Sequence, residues 1–182
     1  SGSDAAPFKF LNVGSGTLYC YFNDTQVKSE NAYPFYTNGF TLLDGGHYYS
    51  TNNGMLCKVY KLINAYVDTA FRPALGIDVI DCTLISRSYG FFCDRSDSWI
   101  GNHISGPVTE SGNYGLLFCY GSSTVVNNYL EQTNAAGRDA LYVRGSDPRD
   151  GKITNNICIN KGTGTGGNLV YGSCSDNYFY SA

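Results

Sequence analysis

The sequence predicts an all-β solenoid, and three observations carry that expectation. First, a hexad of the form apolar-x-x-Asn-x-apolar recurs through the second half of the 182-residue chain. It reads WIGNHI at 99–104, VVNNYL at 125–130, ITNNIC at 153–158 and CSDNYF at 174–179, with VIDCTL at 79–84 carrying Cys82 in the Asn column. The column steps by 20, 26, 28 and 21 residues, which is the size of one winding with loops of unequal length. Second, a short apolar run precedes the hexads: GFFC at 90–93, GLLFC at 115–119, ALYV at 140–143 and GNLVY at 167–171. Third, 22 Gly, 15% aromatic and only 15% charged residues suit short strands and tight turns.

Alternation along each strand then assigns faces. Phe91, Leu117, Leu141 and Leu169 point inward, with Cys93, Cys119 and Val143 two residues later. Trp99, Val125, Ile153 and Cys174 enter the hexads from inside, and Ile104, Leu130, Cys158 and Phe179 leave them inside. The Asn column falls at a sharp bend between two strand segments. An amide there bonds backbone groups freed by the turn and the Asn of the next winding. Asn102, Asn128, Asn156 and Asn177 are therefore structural.

Residues 77–182 form the regular coil, and 4–76 are irregular, being further coils with insertions or a cap. Strands are expected there at 8–13, 17–22, 40–43, 47–50 and 55–67, with turns at Gly14-Ser-Gly16, Asn38-Gly39, Gly45-Gly46 and 52–54. Asn64 stands in a segment whose hexad would open on Lys61, so it does not extend the column. Ser1-Gly2-Ser3 has the look of a cloning remnant.

Seven cysteines match no paired zinc spacing and mostly sit within apolar strands, so buried reduced thiols are expected. That usage fits folding in a reducing cytoplasm. A net charge of −3 without a basic run disfavours a nucleic-acid partner. No stretch reaches the roughly 18 apolar residues of a membrane helix. The glycine run at 162–167 lacks the G-K-[ST] ending of a phosphate loop. No metal site or cofactor is indicated.

The outward set is apolar for a solvated surface: Phe92, Phe118, Tyr142 and Val170 form one row, His103, Tyr129, Ile157 and Tyr178 another, and Ile80, Ile100 and Val126 begin a third. Self-association, a carbohydrate platform or an overlying loop would each cover such rows. The long connections after the hexads gather on one flank and make a groove suited to a chain polymer.

The Asn hexads and turn-strand-turn rhythm of 77–180 resemble right-handed parallel β-helix proteins of the pectate-lyase-like kind, a group that includes polysaccharide epimerases and phage tailspikes. The resemblance implies a right-handed parallel β-helix with an Asn ladder and, nearest to the tailspikes, a fibre fragment that recognises a bacterial surface polysaccharide. It also implies a homotrimer on a virion tail, folded in the host cytoplasm and acting outside it. The rivals are a monomeric polysaccharide lyase, hydrolase or epimerase, and a non-catalytic trimerisation or capping module. Glycan cleavage needs two carboxylates facing one site. The candidates are Asp94, Asp97, Glu110, Glu131 and Asp139, with Tyr114, Phe118, Arg138 and Tyr142 as glycan contacts. Arg138 would neutralise a uronate.

Overall fold

The computed structural model describes residues 8–10, 18–29, 35–37, 41–50, 61–69, 78–88, 90–94, 97–109, 115–120, 122–133, 138–144, 152–162, 167–169 and 174–181. They form strands without a helix, and every strand pairing among them is parallel. Three stacks run along the coil. A pre-bend stack contains Lys61–Ile63, Asp78–Ile80, Ser98–Ile100, Thr124–Val126, Lys152–Thr154 and Cys174–Ser175. A post-bend stack contains Tyr66–Thr69, Thr83–Ser86, His103–Gly106, Tyr129–Gln132, Ile157–Asn160 and Tyr178–Ser181. The third stack is Phe91–Cys93, Gly115–Tyr120, Asp139–Arg144 and Gly167–Leu169. The chain is a parallel β-helix.

The amide column stacks in register. Asn102 N–H and Nδ2 both donate to Asn128 Oδ1, each at 2.9 Å, and Asn128 does the same to Asn156 Oδ1 at 3.0 Å. Asn156 repeats it on Asn177 Oδ1 at 3.0 and 2.8 Å. The remaining Nδ2 hydrogen reaches back to a strand carbonyl one winding earlier: Val79, Trp99, Val125 and Ile153 in turn. The buried Asn102, Asn128 and Asn156 side chains thus satisfy groups that a bend otherwise strands. Cys82 N–H donates to Asn102 Oδ1 at 2.9 Å, and its thiol takes the amide's donor role toward Ile80 and Leu62 carbonyls at 3.2 and 3.7 Å. Burial pushes that thiol up to about 12, so it stays protonated and able to donate.

Immediately before each column residue the backbone turns left-handed, at Asn64, Asp81, Gly101, Asn127, Asn155 and Asp176, with φ between 53° and 69°. Asn, Asp and Gly are the residues that tolerate this region best, which explains the Asx next to the column.

The same bend reaches earlier than the hexads indicate. Leu62 pairs with Val79 and Val67 with Leu84, so this hexad opens on Leu62, not Lys61, and places buried Ala65 in the column. Asn64 takes the left-handed position beside it. One winding before, Thr41–Ser50 is a single strand that bends at Gly45 and Gly46 (φ 80° and 89°) instead of two strands parted by a turn. Leu43 and Tyr48 hold the interior positions there. A Cβ on Gly46 would lie 2.6 Å from the Tyr48 hydroxyl, which donates to Gly45 O at 3.3 Å. Tyrosine thus fills the corner that Asn occupies later. Opposite, the paired strand Leu18–Ser29 shifts register between Phe22 and Gln26.

The interior assignments agree with the structure where they can be read. Phe91, Cys93, Trp99, Ile104, Leu117, Cys119, Val125, Leu130, Leu141, Val143, Ile153 and Cys158 are all buried. Leu169 and Cys174 have side chains outside the described residues. Phe179 differs: it lies in register with Cys158 yet is 42% exposed, because no winding among the described residues covers it. Of the seven cysteines, Cys20, Cys82, Cys93, Cys119 and Cys158 are free thiols, all but Cys20 buried.

Candidate functional site

Two outward rows on the post-bend stack run parallel to the coil axis. Register aligns His47, Tyr66, Thr83, His103, Tyr129, Ile157 and Tyr178 in one row. Tyr49, Asp68, Ile85, Ser105, Glu131, Ile159 and Tyr180 form the other. Successive windings stand about 4.8 Å apart, so both rows repeat with that spacing.

Rings and ion pairs alternate along this face. His47 and Tyr66 stack at 5.5 Å with Tyr49 tilted against Tyr66 at 5.7 Å, and His103 packs on Tyr129 at 4.9 Å. Between the clusters, Arg87 Nε and Nη2 grip Asp68 in a two-pronged pair, each contact 2.7 Å. Glu131 accepts from Lys161 Nζ on one oxygen and from the Tyr129 hydroxyl, at 2.9 Å, on the other. Lys161 holds the Glu131 carboxyl below its ordinary range, with the Tyr129 hydrogen bond second. Glu131 in turn raises the Tyr129 phenol and the Lys161 ammonium. At neutral pH the cluster is a fixed carboxylate, ammonium and neutral phenol. Such a set orients hydroxyl groups and has no proton near its transfer point.

At one end of this face a depression of about 350 Å³ is lined by Tyr21, Phe22, Asn23, Asp44, Gly45, Gly46, His47 and Asn64. Its carboxylate is positioned: Asp44 accepts from the Tyr19 hydroxyl at 3.1 Å and from Asn64 Nδ2 at 3.0 Å.

The described residues anticipated from sequence lie at four places. Asp94 and Asp97 share the turn between third and pre-bend stacks, where Asp97 Oδ2 accepts the Asp94 N–H at 2.7 Å and Asp97 O accepts Thr124 N–H at 2.8 Å. Asp97 is only 8% exposed, and desolvation lifts its carboxyl to about 6. Arg138 and Asp139 stand at the opposite end of the third stack, since Asp139 opens the strand Asp139–Arg144 and pairs with Gly115. Five residues of strand, about 16 Å at 3.3 Å each, separate the two ends along the strand direction. That exceeds the roughly 9.5 Å over which two carboxyls share one glycosidic bond. Glu131 belongs to the post-bend face. Glu110 and Tyr114 lie outside the described residues.

Phe118 and Tyr142 do come together, in a stack with Phe92. Centroids are 5.2 Å apart for Phe92–Phe118 and 5.5 Å for Phe118–Tyr142, with planes within 13°. Tyr120 caps the first pair edge-on. The Phe118 faces are therefore taken by its neighbours, and the residue is 8% exposed; Phe92, at 46%, is the open member. Leu116 and Ala140, earlier in the same strands, are fully buried.

His103, Tyr129, Lys161, Asp68 and Arg87 were not singled out by sequence as one site. Their ion pairs join residues a winding apart, and only the register reveals that adjacency.

Comparison of the chain with protein families, curated proteins and solved structures returns no match.

Proposed function

We propose that the post-bend face binds a polysaccharide laid along the coil axis, as a surface-recognition fibre of the tailspike kind binds a bacterial surface glycan. The observation that carries the reading is the repeat of ring and ion-paired hydrogen-bonding group along two axial rows. Sugar C–H faces pack on aromatic rings, and carboxylate, guanidinium and amide groups bond the hydroxyls. A polymer with a repeating unit suits a surface that itself repeats every ~4.8 Å. On this stretch Arg87 and Lys161 are each matched by an acid, which favours an uncharged glycan over a uronate. The Phe92 end of the third-stack rings favours a second use, as an apolar contact between copies in a fibre.

A glycan array with product analysis, alongside sedimentation mass, tests the reading. Neutral bacterial polysaccharides are the expected ligands, and Tyr129→Ala is expected to weaken binding about tenfold or more, the effect of losing one ring and its hydroxyl bond. Binding unchanged by Tyr129→Ala and by Glu131→Gln would remove the face from the function.

A further inference from the structure

The post-bend face carries one arrangement of histidine, tyrosine, acid and base twice. His47 stands beside Tyr66 of the next winding, and Asp68 lies two residues beyond that tyrosine on the same face. Arg87, the first residue after the strand one winding further on, grips Asp68. His103, Tyr129, Glu131 and Lys161 repeat this position for position, Lys161 being the first residue after the strand that follows its tyrosine. Exposure matches as well: both histidines and both bases are exposed, while both tyrosines and both acids are half-buried. The register runs from 47 through 66 and 83 to 103, and from 66 through 83 and 103 to 129, so the second quartet stands three windings after the first. At ~4.8 Å per winding that is about 14 Å. Between the quartets Ile85 and Ser105 hold the acid position, so no such set forms at a shift of one or two windings.

We infer that the two quartets are equivalent subsites, and that together they select a neutral polysaccharide whose chemical repeat is a trisaccharide advancing about 14 Å. The inference rests on the glycan reading of this face and adds the periodicity of the chain it takes. One linked pyranose advances roughly as far as one winding rises, ~4.8 Å, so a three-sugar repeat brings the same sugar over each quartet. There its C–H face packs on the tyrosine and its hydroxyls bond the acid and the base. A disaccharide or tetrasaccharide repeat places one sugar in register and the next a winding out. Two subsites on one rigid face also reinforce each other, because the second engages at the effective concentration that the first sets.

The test is calorimetric titration of the whole chain with neutral bacterial polysaccharides of di-, tri- and tetrasaccharide repeat. One- and two-repeat oligosaccharides of the tightest trisaccharide binder follow. The chain is expected to prefer the trisaccharide repeat, and to bind two one-repeat oligosaccharides but a single two-repeat one. Tyr66→Ala and Tyr129→Ala should each weaken the two-repeat oligosaccharide about tenfold or more, and each should halve the number of one-repeat oligosaccharides bound. Asp68→Asn and Glu131→Gln, which keep the side-chain volume, form a second matched pair should circular dichroism show that an alanine variant loses its fold. Parent-like binding by the variants at the first quartet, a single one-repeat oligosaccharide per chain, or an equal or tighter fit of another repeat length would overturn the pairing while leaving one glycan site. Binding of none of these polysaccharides would sink the glycan reading itself, and the pairing with it.

Discussion

Asn128 sits where two windings exchange their bend groups. Its Oδ1 receives both Asn102 donors, and its Nδ2 serves Trp99 O and Asn156 Oδ1. Leu in its place leaves the Asn102 N–H and the Trp99 carbonyl buried without these partners, each worth about 1–3 kcal/mol. Asn128→Leu is therefore expected to lower unfolding free energy by about 3 kcal/mol or more, read as a shift of the urea midpoint. Asp97 makes a prediction of opposite character. Its native carboxyl titrates at about 6, above the unfolded value of about 3.9, because burial disfavours its charge. The native state holds that proton more tightly, so the group's stabilising contribution is complete below about pH 4 and is lost as pH rises through about 6. Asp97→Asn keeps an acceptor for the Asp94 N–H while removing the titration. Stability measured from pH 4 to 7 should fall more steeply in the parent than in the variant; parallel profiles would contradict the assignment.

At the scale of one bend, two glycines separate backbone demand from crowding. Gly106 ends a post-bend strand at φ 128°, and a Cβ there would lie 1.9 Å from the Ser86 carbonyl oxygen, which is backbone and cannot yield. Gly106→Ala is expected to cost about 2 kcal/mol or more. Gly101 occupies the left-handed position that Asp81, Asn127 and Asn155 hold in neighbouring windings. Its nearest obstacle is the exposed Asp81 carboxylate, which can swing away, so Gly101→Asn should change stability by less than about 1 kcal/mol. Thermal or urea unfolding of the pair checks both. The bend also marks where sequence stopped being informative. Asn102, Asn128, Asn156 and Asn177 were legible because an amide stands between apolar flanks at constant offset. Ala65 and Gly46 were not, since there the column carries no polar signature, and at Gly46 a tyrosine from the strand supplies the hydroxyl. A second inner polar set at the strand ends was also missed. Buried Gln132 accepts Val108 N–H at 3.2 Å, and Asn160 accepts Gly162 N–H at 2.8 Å. Each looks like a surface amide until the winding closes over it.

For the whole molecule, inner and outer faces follow from the stacking of one amide per winding, and the proposed binding surface rests on those faces. Interior strands were readable from alternation alone, whereas the site was not. Glu131 and Lys161 lie 30 residues apart, and Arg87 and Asp68 lie 19 apart, so contact between them depends on loop lengths that no local pattern fixes. Phe179 teaches the same lesson: its register is interior, but its burial depends on a neighbouring winding. The most direct test of the stacked column is hydrogen exchange of the side-chain amides of Asn102, Asn128 and Asn156, followed by NMR in the intact chain. The ladder predicts that their protons exchange far more slowly than those of exposed Asn127 and Asn155, one residue earlier in the chain. Equal, rapid exchange at all five would mean that the amides do not stack, and the division of this coil into a core and an outer face proposed to bind glycan would fail with them.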